Sequence, residues 1–348
     1  MFKIFIFISV LFFIGCGSGT SESGIENLNS NVNINTTTDT DSKDIKIKPY
    51  FSKNRGSFNG GIDDFIVEKI ENAHSSIYLA MYDFTNKKIK NALIEAHDRG
   101  VKVEIITDDT KIEDEIYLDL NSSNITIYND NYKYGLMHNK FLIIDKNILF
   151  SGSANFTYYS FYRNYENVVL IENQDIAKAY LDEFYEIVNK NLVQKSYKFY
   201  NIELYFSPED NFKKRLINLI QNANKSIYFL VYSFTDSDIA KALIDAKKRG
   251  VLVKGVLDKT WNKNSKYSQY DQLLNASIDI KYDGSYFKLH DKVMIIDKNI
   301  TVTGSYNFTN SANYNNNENS LIIYNSNIAR HYLDEFNKIY LDATNTDN

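Results

Sequence analysis

Cysteine is almost missing from this chain. Of 348 residues only Cys16 is a cysteine, so no disulfide can form within the chain and no cysteine cluster can hold a metal. Proline is nearly as scarce: Pro49 and Pro208 are the only two, about one domain apart. Lysine and arginine form no run longer than three residues, and the net charge is −5. The chain as a whole therefore lacks the cationic footprint of a nonspecific nucleic-acid binder, which leaves only a local positive cleft open. The N-terminal apolar run, residues 4–15, is broken by Ser9 and is shorter than the roughly 20 residues that a membrane-spanning helix needs.

What is present is enough for real cores: 43% of the residues are hydrophobic and 14% aromatic. The length predicts about two domains. A lysine at position 3, the apolar run and then Gly15-Cys16 read as a secretory leader. The stretch FIGC resembles a bacterial lipoprotein processing box, with Phe13 where leucine is more usual. That resemblance implies a signal peptide over 1–15, lipidation of Cys16, and an exported protein anchored on the periplasmic or outer surface of a membrane. Residues 16–46, rich in Ser, Thr, Asn, Asp and Gly, are predicted to form a disordered tether.

The rest is one unit written twice. SSIYLAMYDFTNKKIKNALIEAHDRGVKVEIITD from Ser75 matches KSIYFLVYSFTDSDIAKALIDAKKRGVLVKGVLD from Lys225, at an offset of 150. MHNKFLIIDKN matches LHDKVMIIDKN at an offset of 152, and YLDEF occurs at both Tyr180 and Tyr332. Helical spacing at Ile62, Phe65, Ile66 and Ile70, strands at 77–84 and 101–107, and a helix between them ending at Gly100 predict an α/β unit. The fold class expected is α/β: two tandem homologous domains, 47–190 and 202–342, each a mostly parallel or mixed sheet flanked by helices, packed with pseudo-two-fold symmetry. Residues 191–201 are expected to link them, and 343–348 to form a tail.

Each copy of the hairpin carries a polar constellation. His138 and Lys140 lie two apart and so share a face, as do His290 and Lys292. Asp145 and Asp297 each follow their histidine by seven residues, and Gly152-Ser153-Ala154-Asn155 and Gly304-Ser305-Tyr306-Asn307 come next. Glu166-Asn167 and Glu318-Asn319 complete the set, each Glu 28 residues beyond its His. The other three histidines act as a control: His74 aligns with Asn224, His97 with Lys247 and His331 with Ala179. Only His138 and His290 recur, so they are the candidates for chemistry. Asp145 and Asp297 have a second reading as turn formers, and Gly152 and Gly304 a purely backbone one.

This pattern resembles the phospholipase D superfamily, whose signature is His-x-Lys-x4-Asp followed by Gly-Ser-x-Asn. The likeness covers about residues 48–342 and is greatest to the small bacterial phospholipase D-like and endonuclease branch. It implies that both motifs face one cleft, so that a monomer forms a pseudo-dimeric site. It further implies that His138 attacks phosphorus to give a phosphohistidine, and that His290 protonates the leaving group and then activates water. Lys140, Lys292, Asn155 and Asn307 would hold the phosphoryl oxygens, with Ser153 and Ser305 orienting them. Glu166 and Glu318 would accept the remaining N–H of each imidazole. Asp145 and Asp297 are counted with the catalytic set on the same ground. No metal or other cofactor is implied.

The substrate is expected to be a phospholipid, cut at its head-group phosphodiester, with Tyr132, Tyr134, Leu136, Tyr158, Tyr159 and Phe161 as a candidate aromatic rim for acyl chains. A metal-independent endonuclease on DNA or RNA is the alternative, since the same aromatics can stack bases. An inactive surface binding module is the remote third.

Overall fold

The computed structural model describes residues 45–52, 61–132, 134–195 and 197–344. The leader, Cys16 and most of the tether lie outside the described residues. The first half contains β1 (Lys46–Phe51), α1 (Ile62–Glu71), β2 (Ser76–Met81), α2 (Lys87–Asp98), β3 (Lys102–Thr107), α3 (Glu115–Ser122), β4 (Thr126–Asn129), β5 (Lys140–Ile144), β6 (Ile148–Gly152), α4 (Tyr158–Tyr162), β7 (Asn167–Glu172) and α5 (Gln174–Asn189). The second contains β8 (Tyr197–Phe199), β9 (Ile202–Ser207), α6 (Phe212–Gln221), β10 (Ser226–Val231), α7 (Ser237–Lys248), β11 (Leu252–Leu257), α8 (Lys259–Asn264), α9 (Tyr270–Asn275), β12 (Asp279–Tyr282), β13 (Lys292–Ile296), β14 (Ile300–Gly304), α10 (Asn310–Tyr314), β15 (Glu318–Tyr324) and α11 (Ser326–Asp342). Among the described residues no helix is long and apolar enough to cross a membrane.

Each half forms a mixed sheet, in the orders β1-β7-β6-β5-β2-β3-β4 and β12-β11-β10-β13-β14-β15-β9-β8. Among the described strand ladders, the parallel ones are β2-β3-β4 and β10-β11-β12, where helices make the crossovers. The remaining ladders are antiparallel, and only β5-β6 and β13-β14 among the pairs around the motifs are joined by short hairpin turns. Of the two sheet types expected, the mixed one is found. The predicted 191–201 linker is not all irregular: β8 pairs with the edge of the second sheet. Tyr197 and Phe199 pack on the core there, which ties this stretch down.

Period-2 alternation divides the apolar residues between cores. Ile77, Leu79, Met81, Leu142 and Ile144 face α1 and α2 in a core belonging to the first half. Tyr78, Ala80, Phe141 and Ile143 face the other way. They join Tyr180 and Phe184 of α5, Tyr332 and Phe336 of α11, and Tyr228, Leu230, Val293 and Ile295 of the second sheet in one continuous core. The two C-terminal helices of the repeat are thus sandwiched between the sheets, and the YLDEF repeat supplies their buried aromatics. Each such side chain contributes about 1.5–3 kcal/mol on burial, so this central core holds the halves in a fixed relation.

Candidate active site

Two edge bridges bring the motifs together. Met137 pairs with Asn317 in parallel, and Tyr165 pairs with Leu289 in the same way. The N–H of His138 donates to the carbonyl of Asn317 at 3.0 Å, and that of His290 donates to the carbonyl of Tyr165 at 2.9 Å. Each histidine therefore lies beside the Glu-Asn pair of the opposite half. Nδ1 of His138 is 2.8 Å from Oε2 of Glu318. Nδ1 of His290 is 2.9 Å from Oε1 and 3.0 Å from Oε2 of Glu166. The glutamate that serves each imidazole is not the one 28 residues beyond it but the one contributed by the other copy.

The glutamates are themselves held. Ser153 Oγ donates to Glu166 at 2.6 Å, and Ser305 Oγ donates to Glu318 at 2.5 Å. Asn316 Nδ2 donates to the second oxygen of Glu318 at 3.0 Å. Gly152 explains how Ser153 gets there. A Cβ at Gly152 would sit 2.3 Å from the carbonyl oxygen of Asn167, the same oxygen that accepts from the Ser153 N–H at 3.0 Å. The neighbouring asparagines seal the seam between halves. Asn319 donates to Asn139 at 2.9 Å and accepts from Ser151 at 2.7 Å, while Asn167 donates to Asp291 at 2.6 Å and accepts from Thr303 at 2.6 Å.

Lys140 and Lys292 are buried beside the histidines, and each Nζ donates to the backbone carbonyl of the His two residues before it. Tyr82 and Tyr232 floor the site. Their rings lie 5.3 Å and 4.8 Å from the imidazoles of His138 and His290, and 5.5 Å and 5.2 Å from the ammonium groups of Lys140 and Lys292. These tyrosines were not singled out from the sequence. The signal was there, since both recur at the offset of 150.

The electrostatics follow from burial. Desolvation pushes Lys140 down to about 7, against the opposing charge of Glu318, and pushes Lys292 down to about 8, against Glu166. Burial also lowers His138, and takes His290 to about 4, with the facing carboxylates opposing and the lysines reinforcing the shift. Burial alone would raise Glu166, but its contacts with His290 outweigh that and hold it below the usual carboxylate range. The arrangement favours neutral imidazoles whose Nδ1–H is given to a glutamate. That leaves the Nε2 lone pair as the free, reactive edge.

Asp145 and Asp297 are not part of this cluster, which corrects their place in the catalytic set. Asp145 opens the hairpin turn at the far end of β5, with φ +52 there and +53 at Lys146, a two-residue primed turn. Its carboxylate accepts the backbone N–H groups of His74, Ser75 and Ser76 at 2.7–3.2 Å. Asp297 does the same for Asn224, Lys225 and Ser226. Both are structural staples between the hairpin and the start of the first parallel strand.

A cleft of about 1090 Å³ opens beside His290. Asn155 from the first half lines it, and Oδ1 of Asn155 and of Asn307 is buried with no partner among the described residues. Tyr159, Tyr232, Trp261, Tyr286 and Phe287 form its aromatic wall. Of the aromatic rim expected from sequence, only Tyr159 lines this cleft. Phe161 is wholly inside the first-half core, and Tyr158 stacks on Tyr162. The residues missed, Trp261 and Tyr286-Phe287, come from the second copy, and Tyr286 is 94% exposed. The lining's formal charges are Lys288 against Asp83 and Asp258, with Arg163 stacked on Phe287 nearby.

Residues 66–188 and again 216–340 match the family described as cardiolipin synthase, PLD-like domain. Phospholipase D of Rickettsia prowazekii is 40% identical over 133 residues, 38% of this chain and 64% of the rickettsial protein, so the match spans just under two thirds of that relative. Mitochondrial cardiolipin hydrolase of Mus musculus is 34% identical over 122 residues, 33% of this chain and 52% of the mouse protein. The crystal structure of phosphatidylserine synthase from Haemophilus influenzae superposes with a TM-score of 0.66 at 12% identity, over 87% of this chain and 88% of that one, a likeness of fold.

Proposed function

The chain belongs to the phospholipase D superfamily, and on that premise we propose that it is a phosphodiesterase hydrolysing phospholipid head-group phosphodiesters through a covalent phosphohistidine. The observation that supports the reading is the reciprocal pairing of His138 with Glu318 and His290 with Glu166, each imidazole beside a buried lysine.

In the mechanism, Nε2 of neutral His138 attacks phosphorus and forms a P–N bond. The P–O bond to the leaving alcohol breaks, and that oxygen takes a proton from Nε2 of His290, which must be protonated in the bound complex. A bound phosphodiester anion favours that protonation. Lys140 and Lys292 stabilise the phosphoryl oxygens as charge develops. Water then attacks phosphorus while His290 accepts its proton, and the P–N bond breaks to restore neutral His138. The assignment of attack to His138 rests on family resemblance. The glutamates act through the imidazoles, by fixing the tautomer and orientation.

The composition of the cleft supports a lipid substrate over a nucleic acid. Its aromatic wall suits apolar groups, and Lys288 faces Asp83 and Asp258 rather than a basic track. The names of the rickettsial and mouse relatives point the same way. A lipid anchor at Cys16 would hold the catalytic body at the membrane surface, and one chain, carrying both motifs, would act as a monomer.

The test uses phosphatidylcholine or cardiolipin vesicles, single- and double-stranded DNA, and a soluble aryl phosphodiester. Vesicle hydrolysis lost in both His138→Ala and His290→Ala, with a phosphoenzyme trapped in the His290 variant, is the expected result. DNA cleavage without vesicle hydrolysis would replace the substrate assignment. Full aryl phosphodiesterase activity in either variant would overturn the mechanism.

A further inference from the structure

The two halves diverge at the carboxyl ends of β3 and β11. In the first half Asp108, Asp109 and Asp130 bring carboxylate oxygens within 4.8 Å of one another. Asp108 and Asp130 are buried, and Asp109 is half-buried. Asp108 accepts from the backbone N–H of Thr110 at 3.0 Å and of Met137 at 2.9 Å, and also from the Thr110 hydroxyl. Oδ1 of Asp130 accepts from the N–H of Asp109 at 3.0 Å. Oδ2 of Asp130, a residue only 3% exposed, is buried with no partner among the described residues. Three carboxylates desolvated together are unfavourable unless a cation joins them.

The duplication supplies an internal comparison. Asp258 repeats Asp108 at the offset of 150, and Asp283 stands in the place of Asp130. Asp258 accepts from the N–H of Leu289 at 3.1 Å, as Asp108 does from Met137. Asp283 accepts from the N–H of Lys259 at 2.7 Å, as Asp130 does from Asp109. The difference is the residue between: Lys259 in the second half, Asp109 in the first. Burial raises both Asp283 and Asp130, but the charge that the intervening residue adds has opposite sign: Lys259 slightly favours the Asp283 carboxylate, and Asp109 opposes that of Asp130. One copy has a lysine at this position. The other presents a third carboxylate at the same position.

We infer that Asp108, Asp109 and Asp130 form a binding site for a hard divalent cation of the calcium class. All the donors are oxygens. Oxygens each 2.3–2.6 Å from one calcium ion lie at most about 5 Å apart, which the observed spacing satisfies. The ion stands in for Lys259. Its effect on the reacting centre is positional: Asp108 grips the N–H of Met137, the residue before His138, so the ion braces the segment that delivers that histidine. Chemistry at phosphorus does not pass through it.

The experiment is calorimetric titration and thermal unfolding of the full protein, stripped with EDTA and dialysed, with calcium, magnesium and manganese chlorides in turn. One calcium per chain, with a Tm increase of at least about 3 °C at saturation, is expected. Asp109→Lys, which copies the second half, should lose calcium binding and unfold without metal no earlier than the metal-free parent. Asp130→Asn should also lose binding. If Asp130→Asn does not fold, Asp109→Lys and Asp109→Asn decide the matter. Absence of both heat and Tm shift with all three ions overturns the site, as does undiminished binding by Asp109→Lys. Tighter binding of magnesium than of calcium overturns the calcium assignment. None of these readouts uses phosphodiesterase activity, so this inference and the proposed function stand or fall separately.

Discussion

Nδ1 of His138 lies 2.8 Å from a carboxylate oxygen of Glu318, a residue 180 positions away in the other half of the chain. Each half supplies one imidazole and the carboxylate that meets the imidazole of its twin. Replacing Glu318 by glutamine keeps the shape but removes the charge that fixes the tautomer. We expect kcat to fall roughly 10- to 100-fold, as for other carboxylates that orient a functional histidine. The fold should persist by circular dichroism. An unchanged kcat would mean that Glu318 is only a structural partner.

The buried lysines should cost stability in exchange for function. An unfolded lysine holds its proton to about 10.5, whereas Lys140 in the folded chain releases it at about 7. The unfolded state therefore binds more protons between those values, and stability rises with pH across that window. Lys140→Met should remove that slope, abolish hydrolysis and stabilise the protein near neutral pH, where the charged lysine is held against its desolvation. Chemical denaturation at several pH values would check this. A destabilised Met variant would show that the Lys140 hydrogen bond to the His138 carbonyl outweighs the desolvation of its charge.

The same shifts set the pH profile of the free enzyme. In the proposed mechanism neutral His138 attacks phosphorus, so kcat/KM should fall as pH drops through its depressed pKa, below the ordinary 6.5. Protonated His290 is the acid of that mechanism, so kcat/KM should already decline gradually above about 4, and it should steepen as the lysines that hold the phosphoryl oxygens lose their charge through about 7 to 8. Lys140→Arg, charged throughout the range, should move the alkaline limb upward even while lowering the maximum. An alkaline limb that stays in place would assign it to Lys292 or to another group.

Asp145 should behave as a staple and not as a catalyst. Removing its carboxylate in Asp145→Ala leaves the N–H groups of His74, Ser75 and Ser76 without their acceptor. A loss of roughly 1–3 kcal/mol in stability is expected, with kcat on a soluble aryl phosphodiester within about twofold of the parent. A large fall in kcat at a temperature where the variant is fully folded would return Asp145 to the catalytic set.

The aromatic wall should matter only for extended substrates. Tyr286→Ala removes an almost fully exposed ring at the mouth of the cleft. Vesicle hydrolysis should drop several-fold while the aryl diester is cut as before. An equal loss on both substrates would place Tyr286 in support of the catalytic centre instead.

Much of this is legible in the sequence alone. Duplication revealed two equivalent halves, and recurrence separated His138 and His290 from the three histidines that do not repeat. Strand periodicity put Lys140 on the face of His138. Other features were not legible, for definable reasons. Asp145 sits in register in both copies because the hairpin turn is duplicated as faithfully as the site, so recurrence alone cannot tell a staple from a catalyst. The sequence places an aromatic rim beside the first motif, but an asymmetric cleft draws on whichever copy has diverged, here Trp261, Tyr286 and Phe287.

The sequence by itself determined the residue types, their spacing within each copy and the apolar pattern that builds each sheet, because those are local properties of strands and helices. Only the tertiary structure decided which glutamate meets which histidine. The central core of α5, α11 and both sheet faces fixes the halves in one relation, and within it the Met137–Asn317 and Tyr165–Leu289 bridges cross the seam. Separation along the chain carries no information about contacts of that kind; packing does.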